Sequence, residues 1–426
     1  MIRDIGLWIC EYMNMLLPDD VARIEACMDR QKIMHIDNTP HIVNGHRAEP
    51  PKEPALLGVS LEIARGLAAL FVFCFHIKSY IADASPTLGL LARYGYMGVP
   101  IFFVISGYCM AASAHQALRR NRSAGSFLRK RFLRIYPPFW ASIVVIMVIP
   151  YLLEGLSALK TGHFNSPTPR WANLDSIDWL QIVTLTRVFY SNGLGLDKAF
   201  SSVNIVYWTL AIEFQFYLVI YLALLWRRWF VVLLACVTLS SLTVFAFPDI
   251  KDTGLFLGFW PMFALGLGLY LLLERNYSLH RVGGGKWLSI LLLAVSLPVF
   301  VMLAYKGLLV QFMESIFIDG AFGFAVCTAT AFWLLASLER QISFQAISGH
   351  ALVRFPLQAG IFLGSISYSL YLLHTGLYQL PDMAIRQLTT PNNPVFTLTI
   401  IGGTVLISWL FYLFFERPFI SRRSVN

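Results

Sequence analysis

Residues 57–77 read LGVSLEIARGLAALFVFCFHI, an apolar run with an arginine, Arg65, in its middle and a histidine, His76, near its end. A helix needs about 20 apolar residues to cross the hydrocarbon core of a bilayer. Similar runs recur along the chain, at 95–114, 136–153, 202–225, 229–247, 254–273, 287–305, 316–337, 359–380 and 395–415. The sequence therefore predicts an all-α, polytopic membrane protein with about ten transmembrane helices.

The composition favours a membrane protein over an ordinary soluble domain. Hydrophobic residues make up 57% of the 426 residues and charged residues only 13%, whereas a soluble domain carries about 25% charged residues. The mean hydropathy is +0.62. The net charge of +9 comes from basic residues spread over many connections, so it indicates no nucleic-acid partner. The six cysteines include no Cys-x-x-Cys pair, so neither a metal site nor a disulfide framework is predicted.

The distribution of Lys and Arg predicts the orientation of the chain. Cytoplasmic connections of membrane proteins carry an excess of these residues, and alternate connections of this chain are richer in them, above all residues 115–135. We therefore expect both termini to be cytoplasmic. The expected organisation is a polar cytoplasmic extension at 1–55, a transmembrane domain at 56–420 and a cytoplasmic tail at 421–426.

Arg65 and His76 are the first candidates for a functional site, because an ionisable residue at the centre of a span costs roughly 2.5–3.5 kcal/mol. They are eleven residues apart, which places them on nearly the same face of a helix and roughly 16 Å apart along its axis. Such a face would suit the wall of a tunnel. Alternatively, Arg65 extends to the inner headgroups and His76 lies at the outer interface.

Two more ionisable residues within predicted spans are candidates for the site. Glu213 lies in the middle of 202–225, where a carboxyl group must be protonated or paired. It is a candidate for the site or for a structural ion pair with a neighbouring helix. His374 lies towards the outer half of 359–380 and is either a second catalytic candidate or a hydrogen-bonded structural histidine.

The most basic connection contains seven cationic residues, namely Arg119, Arg120, Arg122, Arg129, Lys130, Arg131 and Arg134. Arg131 and Arg134 are three residues apart, so they share a face if the segment is helical. Paired guanidinium groups suit the phosphates of a polyanionic cytosolic ligand. The alternative is that this charge only reflects the cytoplasmic orientation of the connection.

Six stretches of the chain, taken in order, resemble the acyltransferase 3 family of integral membrane acyltransferases. They are Arg65 with His76, GVPIFFVISGY at 98–108, Arg131 with Arg134 before Tyr136-Pro137-Pro138, WTLAIEFQFY at 208–217, SYSLYLLH at 367–374, and Glu416-Arg417-Pro418. The family includes bacterial O-acetyltransferases of O-antigen, exopolysaccharide and Nod factors. The resemblance covers about residues 56–420 and implies a multi-pass protein of the bacterial inner membrane, surrounded by lipid.

The resemblance implies an acyl transfer from cytosolic acyl-CoA, with acetyl-CoA as the first candidate, to a hydroxyl of a saccharide or lipid-linked saccharide. Acyl-CoA would be a donor substrate rather than a permanently bound cofactor. In this scheme Arg131 and Arg134 hold the nucleotide phosphates, and Arg65 guides the thioester arm. His76 is the general base, a role that suits an imidazole near neutral pH.

The remaining candidates have less defined roles in this scheme. Ser106 would form a hydrogen bond near the thioester or carry the acyl group transiently. Glu213 would pair with an arginine or orient His76. His374 is the next candidate for the base. One departure affects this scheme, since the family commonly has an aspartate where this chain has Pro100, so an acidic partner for His76 is missing there.

Two other functions compete with this interpretation. A secondary transporter also has charged residues at mid-membrane, but such folds often contain inverted repeats, and this sequence shows none. A lipid O-acyltransferase of another membrane family would also rely on a buried histidine. The order of the six stretches favours the acyltransferase 3 interpretation over both.

Overall fold

A computed structural model of the chain describes residues 57–190, 198–244, 255–274, 320–339 and 351–420. These residues form helices and connections, with no strand among them, which confirms the all-α prediction for this part of the chain. The helices are α1 (Leu57–His76), α2 (Lys78–Ala84), α3 (Pro86–Ala92), α4 (Gly98–Arg119), α5 (Ala124–Thr161), α6 (Ser176–Val183), α7 (Lys198–Val203), α8 (Tyr207–Leu225), α9 (Phe230–Val244), α10 (Trp260–Glu274), α11 (Gly320–Glu339), α12 (Ala351–Ser365), α13 (Ser367–Leu377), α14 (Gln379–Ile385), α15 (Pro394–Phe411) and α16 (Arg417–Ile420).

Short 3₁₀ and π turns join several of these helices. The 3₁₀ turns are Gly95–Met97, Arg170–Asn173, Arg187–Tyr190, Arg227–Trp229 and Phe256–Gly258, and the π-helical turn is Tyr412–Glu416. The π turn joins α15 to α16, so this last helical stretch continues beyond the predicted segment 395–415.

Six helical stretches in the described ranges are long and apolar enough to cross a membrane. They are Gly58–His76, Pro86–Arg119, Ala124–Thr161, Tyr207–Leu225, Ala321–Leu338 and Pro394–Ile420. A seventh span results if α12 and α13, which meet at an angle of 75°, are taken together. The chain is thus a multi-pass membrane protein. Of the predicted segments, 287–305 lies outside the described residues. Segment 359–380 is divided between helices by the bend, and each of the other segments overlaps a described helix.

The number of ten spans and the cytoplasmic position of both termini stay predictions. The expected extension at 1–55 and tail at 421–426 also lie outside the described residues.

The basic connection at 115–135 is mostly helical rather than an extended loop. α4 continues to Arg119, and α5 begins at Ala124 after a short turn in which Asn121 has a φ of 48°. Ser123 caps α5, because its Oγ accepts a hydrogen bond from the backbone N–H of Ser126 at 3.2 Å. The prediction from apolar residues started this span at residue 136, whereas α5 begins at Ala124. The first turns of α5 are basic, so the apolar pattern did not include them.

Four glycines allow pairs of helices to pack backbone against backbone. A Cβ on Gly107 or Gly266 would collide with backbone atoms across the α4–α10 contact, and one on Gly66 or Gly364 would do the same between α1 and α12. Small residues permit such close approach in membranes, where van der Waals packing contributes to helix association. These contacts hold α4 and α1, which carry Ser106 and Arg65, against the rest of the bundle.

Replacing Gly266 by valine should destabilise the protein, because the new side chain would meet the carbonyl oxygen of Val104 on α4. Forcing extra atoms into packed cores costs typically about 1–3 kcal/mol. Gly268→Val is the matched control, since it lies on the same helix and a Cβ there has nothing within 4 Å. Thermal unfolding of both variants in detergent should show a lower Tm for Gly266→Val only. Equal melting temperatures for the two variants would contradict the close α4–α10 contact.

Candidate active site

A cavity of about 90 Å³ lies where α1, α4, α5, α8 and α13 meet. Its wall contains the predicted site residues Arg65, Ser106, Arg131, Arg134 and Glu213. It also contains polar residues from the stretches 208–217 and 367–374 that were given no individual role, namely Thr209, Tyr217, Ser367, Tyr368 and Tyr371. Since one water molecule needs roughly 10–15 Å³ measured in this way, the cavity has room for several waters or for a narrow part of a ligand.

Arg65 contacts the bend between α12 and α13. Its Nη2 donates a hydrogen bond to the Oγ of Ser367 at 3.2 Å, and this hydroxyl in turn donates to the backbone oxygen of Gly364 at 2.7 Å. A break in a membrane helix leaves backbone groups without helical partners, and it is tolerated where it is buried in protein or lines a cavity. The bend therefore supplies polar groups to the site, and Arg65 is held inside the bundle.

Glu213 is the acceptor at the centre of the polar wall. Its Oε1 accepts hydrogen bonds from the hydroxyls of Ser106, at 2.6 Å, and Tyr217, at 2.5 Å. It also interacts electrostatically with Arg131 and Arg134. Its direct partners are thus two hydroxyl groups, and the two roles expected for Glu213 stay predictions.

Arg131 is held by contacts on several sides. Its Nη2 donates to the Oγ of Ser113 on α4 at 2.5 Å, and its guanidinium carbon lies 5.8 Å from the ring centre of Phe127 and 5.7 Å from that of Tyr217. A guanidinium group has five N–H donors, so one bond to Ser113 leaves others for a ligand. Arg134 lies one turn further along α5 and lines the same cavity.

The structure separates these two arginines from the rest of the basic segment. Arg119, Arg120, Arg122 and Arg129 are exposed and are not part of the cavity wall, which does contain Arg131 and Arg134. Both interpretations of the segment stay predictions. The exposed arginines are of the kind that the orientation rule describes, and Arg131 and Arg134 line the candidate site.

Glu416 is a buried carboxyl group that caps the start of α13. Its Oε2 accepts hydrogen bonds from the backbone N–H of Ser369 at 3.1 Å and from the hydroxyl of Ser369 at 2.5 Å. The first N–H groups of a helix lack partners within the helix, so this contact satisfies one of them. Glu416 also interacts electrostatically with Arg134 and Arg65.

His76 and His374 contact each other beside the cavity rather than in its wall. Their ring centres are 5.0 Å apart, and His76 also packs edge-on against Phe75 at 5.3 Å. His76 is partly exposed, whereas His374 is fully buried. Tyr371 joins the two regions, because it lines the cavity, bonds Thr209 at 2.5 Å between the two hydroxyl oxygens, and has its ring centre 5.9 Å from that of His374.

The sequence analysis gave several residues of the site no role, for reasons that are simple. Tyr217, Ser367 and Tyr371 are uncharged, so the cost of burying a charge in a membrane did not single them out. Glu416 follows the predicted segment 395–415 and was named as part of a family stretch, but it was given no role in the site. The position of a glutamate directly after a long apolar run could have indicated a buried role. An irregular turn, here Tyr412–Glu416, can place such a residue inside the helix bundle.

The chain is similar to known acyltransferases. The acyltransferase 3 family model, described as an acyltransferase domain, matches residues 59–413. Nodulation protein 10 of Rhizobium leguminosarum bv. viciae is 28% identical over 174 residues, which are 40% of this chain and 45% of that protein. The peptidoglycan O-acetyltransferase OatA of Listeria monocytogenes is 26% identical over 167 residues, 38% of this chain and 23% of that protein.

The acyltransferase MdmB of Streptomyces mycarofaciens is 30% identical over 169 residues, 39% of this chain and 37% of that protein. The aligned part of the chain spans less than half the length of each of these relatives. No solved structure matches the chain significantly. Because the family model extends over nearly all of the transmembrane domain, the chain belongs to the acyltransferase 3 family.

Proposed function

We propose that the chain is a membrane-bound O-acyltransferase that moves an acyl group, with acetyl as the first candidate, from cytosolic acyl-CoA to a hydroxyl of a saccharide. The observation that carries this proposal is the cavity with three arginines in its wall, Arg65, Arg131 and Arg134. The acidic groups that interact with them are Glu213 and Glu416. The arginines outnumber these carboxyl groups, so an anionic ligand is favoured at this place.

The relatives support the type of reaction and the class of acceptor. Two of them are named as acyltransferases or O-acetyltransferases, and one of these is named for peptidoglycan, a polymer that contains sugars. The third is named as a nodulation protein. We therefore choose saccharides as the first acceptors to test and acetyl-CoA as the first donor.

The positions of the arginines suggest how the donor binds. Arg131 and Arg134 lie near the start of α5, next to the exposed basic residues, so they would bind the phosphates of the CoA nucleotide. Arg65, held at the α12–α13 bend, would contact the pantetheine arm or the thioester. The small volume of the cavity suits a narrow arm and leaves the nucleotide at its mouth.

The chemical step would then use His76. His76 would remove the proton of the acceptor hydroxyl, whose oxygen would attack the thioester carbonyl carbon, and the carbon–sulfur bond would break. The proton would pass from His76 to the departing sulfur, so that CoA leaves as the thiol and the ester remains on the saccharide. Such general base catalysis contributes typically about 10²–10⁴ in rate.

Ser106 has two candidate roles, and its contact with Glu213 fits both. The hydroxyl could form a hydrogen bond near the thioester, or it could carry the acyl group transiently after losing its proton to Glu213. A nucleophile within hydrogen-bond reach of a base is the arrangement that covalent catalysis requires. The separation of 2.6 Å between Ser106 Oγ and Glu213 Oε1 meets that condition.

A secondary transporter remains the second candidate, and the bent pair α12–α13 is the observation that fits it, because transporters often bind solutes at broken helices. The family match favours the acyltransferase. In a transporter the bend would move with the solute, and no covalent bond would be made or broken.

The deciding experiment uses the purified chain in lipid nanodiscs with acetyl-CoA labelled in its acetyl group. We expect release of the CoA thiol and labelled ester on an added oligosaccharide, with empty nanodiscs as the control. In cells, removal of the gene should lower the ester-linked acetyl content of isolated polysaccharides. Solute uptake into proteoliposomes without any consumption of acetyl-CoA would support the transporter instead.

A further inference from the structure

His374 is fixed in one orientation by the helix on which it lies. Its Nδ1 is 3.1 Å from the backbone oxygen of Leu370 and 2.9 Å from that of Tyr371. A carbonyl oxygen only accepts hydrogen bonds, so Nδ1 must carry the hydrogen. In the neutral ring the other nitrogen, Nε2, then has a bare lone pair and is an acceptor.

This acceptor is buried and has no hydrogen-bond partner among the residues that the structure describes. Buried polar atoms without a partner are rare in proteins, and each calls for an explanation. The rings around His374 are those of Phe73, at 5.7 Å, Tyr371, at 5.9 Å, and His76, at 5.0 Å between ring centres. Of these three neighbours, Phe73 has no polar side-chain atom, and the hydroxyl of Tyr371 is already bonded to Thr209. His76 is left as the neighbour that offers an N–H group.

The distance between the two imidazoles permits a direct hydrogen bond. Ring nitrogens lie about 1.1 Å from their ring centre, so two nitrogens that face each other across 5.0 Å would be about 2.8 Å apart, within the range of a hydrogen bond. In the structure the rings are inclined at 52° and do not form this bond, so its formation requires the partly exposed His76 to rotate. Hydrogen bonds at active sites often tighten only when the substrate is bound.

We propose that His374 is a positioning residue, whose Nε2 accepts the N–H of His76 and so fixes the tautomer and orientation of the catalytic imidazole. This inference rests on the proposed role of His76 as the base. A neutral imidazole has one protonated nitrogen and one free nitrogen. With its N–H held by His374, His76 presents the free nitrogen to the acceptor hydroxyl, and fixing the tautomer in this way is the known task of the third group in catalytic triads.

The same geometry argues against His374 as the base itself. His374 is 0% exposed, whereas His76 is partly exposed. An acceptor hydroxyl therefore has access to His76 and not to His374. His374 acts through His76 and takes no proton from the substrate.

The test compares replacements of His374 that keep or remove the acceptor atom. His374→Phe keeps a ring without an acceptor, and His374→Gln offers an amide oxygen at a similar distance from the backbone. We expect His374→Phe to lower kcat for acetyl transfer roughly 10- to 100-fold, the range known for partners that orient metal-binding histidines, with little change in the KM for acetyl-CoA. His374→Gln should recover most of the loss, and His374→Leu serves as a second acceptor-free variant if the phenylalanine variant does not insert.

A double variant tests the positioning role of His374 separately from the role of His76 as the base. In a His76→Ala background, adding His374→Phe should cause no further loss, because a positioning residue has nothing left to position. Normal turnover of His76→Ala would remove the base on which the inference rests. An inactive His76→Ala with a fully active His374→Phe would overturn the positioning role alone, as would equal losses in His374→Phe and His374→Gln, which would indicate packing.

Discussion

Replacing His76 by alanine should abolish acyl transfer while acyl-CoA still binds. His76 lies outside the cavity wall that contains the arginines, so its removal leaves the proposed phosphate contacts in place. Loss of a general base typically lowers the rate by about 10²–10⁴, which exceeds the effect of a local packing change in a protein that remains inserted. Turnover is measured from CoA thiol release and ester formation, and binding from equilibrium titration with a non-hydrolysable acyl-CoA analogue.

The controls for this variant come from two other residues. His163→Ala removes an exposed histidine outside the site and should leave turnover unchanged. Arg65→Ala should weaken both binding and transfer, because Arg65 lines the cavity and contacts the α12–α13 bend. Lysine at position 65 should restore little, since an ammonium group lacks the planar fork of guanidinium. Near-normal turnover of a stably inserted His76→Ala would exclude His76 as the base.

The charged residues of the site could be predicted from the sequence, because ionisable residues are costly and rare inside membrane spans. Arg65 and Glu213 stood out as ionisable residues inside apolar runs, and the structure places both in one cavity wall. Spacing and the resemblance also singled out Arg131 and Arg134, and both line the same wall, but the sequence could not show that the other basic residues of the segment lie outside it. That distinction depends on the direction in which each side chain leaves α5, which is visible only once the start of the helix at Ala124 is known.

The irregular parts of the fold could not be predicted in this way. The bend of 75° at Ile366 interrupts a segment that reads as one continuous apolar span. Hydropathy measures how apolar a segment is and contains no information on its direction. The contact between His76 and His374 is equally invisible, because it depends on how α13 turns after the bend and packs against α1.

Replacing Arg131 and Arg134 together by alanine should weaken acyl-CoA binding at least tenfold. Hydrogen bonds to charged groups contribute about 1.5–3 kcal/mol each, and 1.4 kcal/mol corresponds to a factor of ten in affinity. The affinity for acetyl-CoA and for CoA alone should fall by similar factors, because both carry the phosphates. Titration of the purified variants in nanodiscs, with thermal unfolding measured in parallel, gives both quantities.

The matched control is Arg122→Ala with Arg129→Ala, which removes the same charge from exposed positions of the same basic segment. If Arg131 and Arg134 bind the phosphates by direct contact, the exposed control should lose little affinity for acyl-CoA. This small loss should vanish at high salt, because exposed charges are screened. A second comparison uses lysine at positions 131 and 134, which keeps the charge and loses the bidentate geometry. Equal losses in the alanine pair and in the exposed control would show that the segment attracts CoA only through its overall charge. Unchanged affinity in all variants would leave the arginines of α5 as structural partners of Glu213, and the donor would have to bind elsewhere.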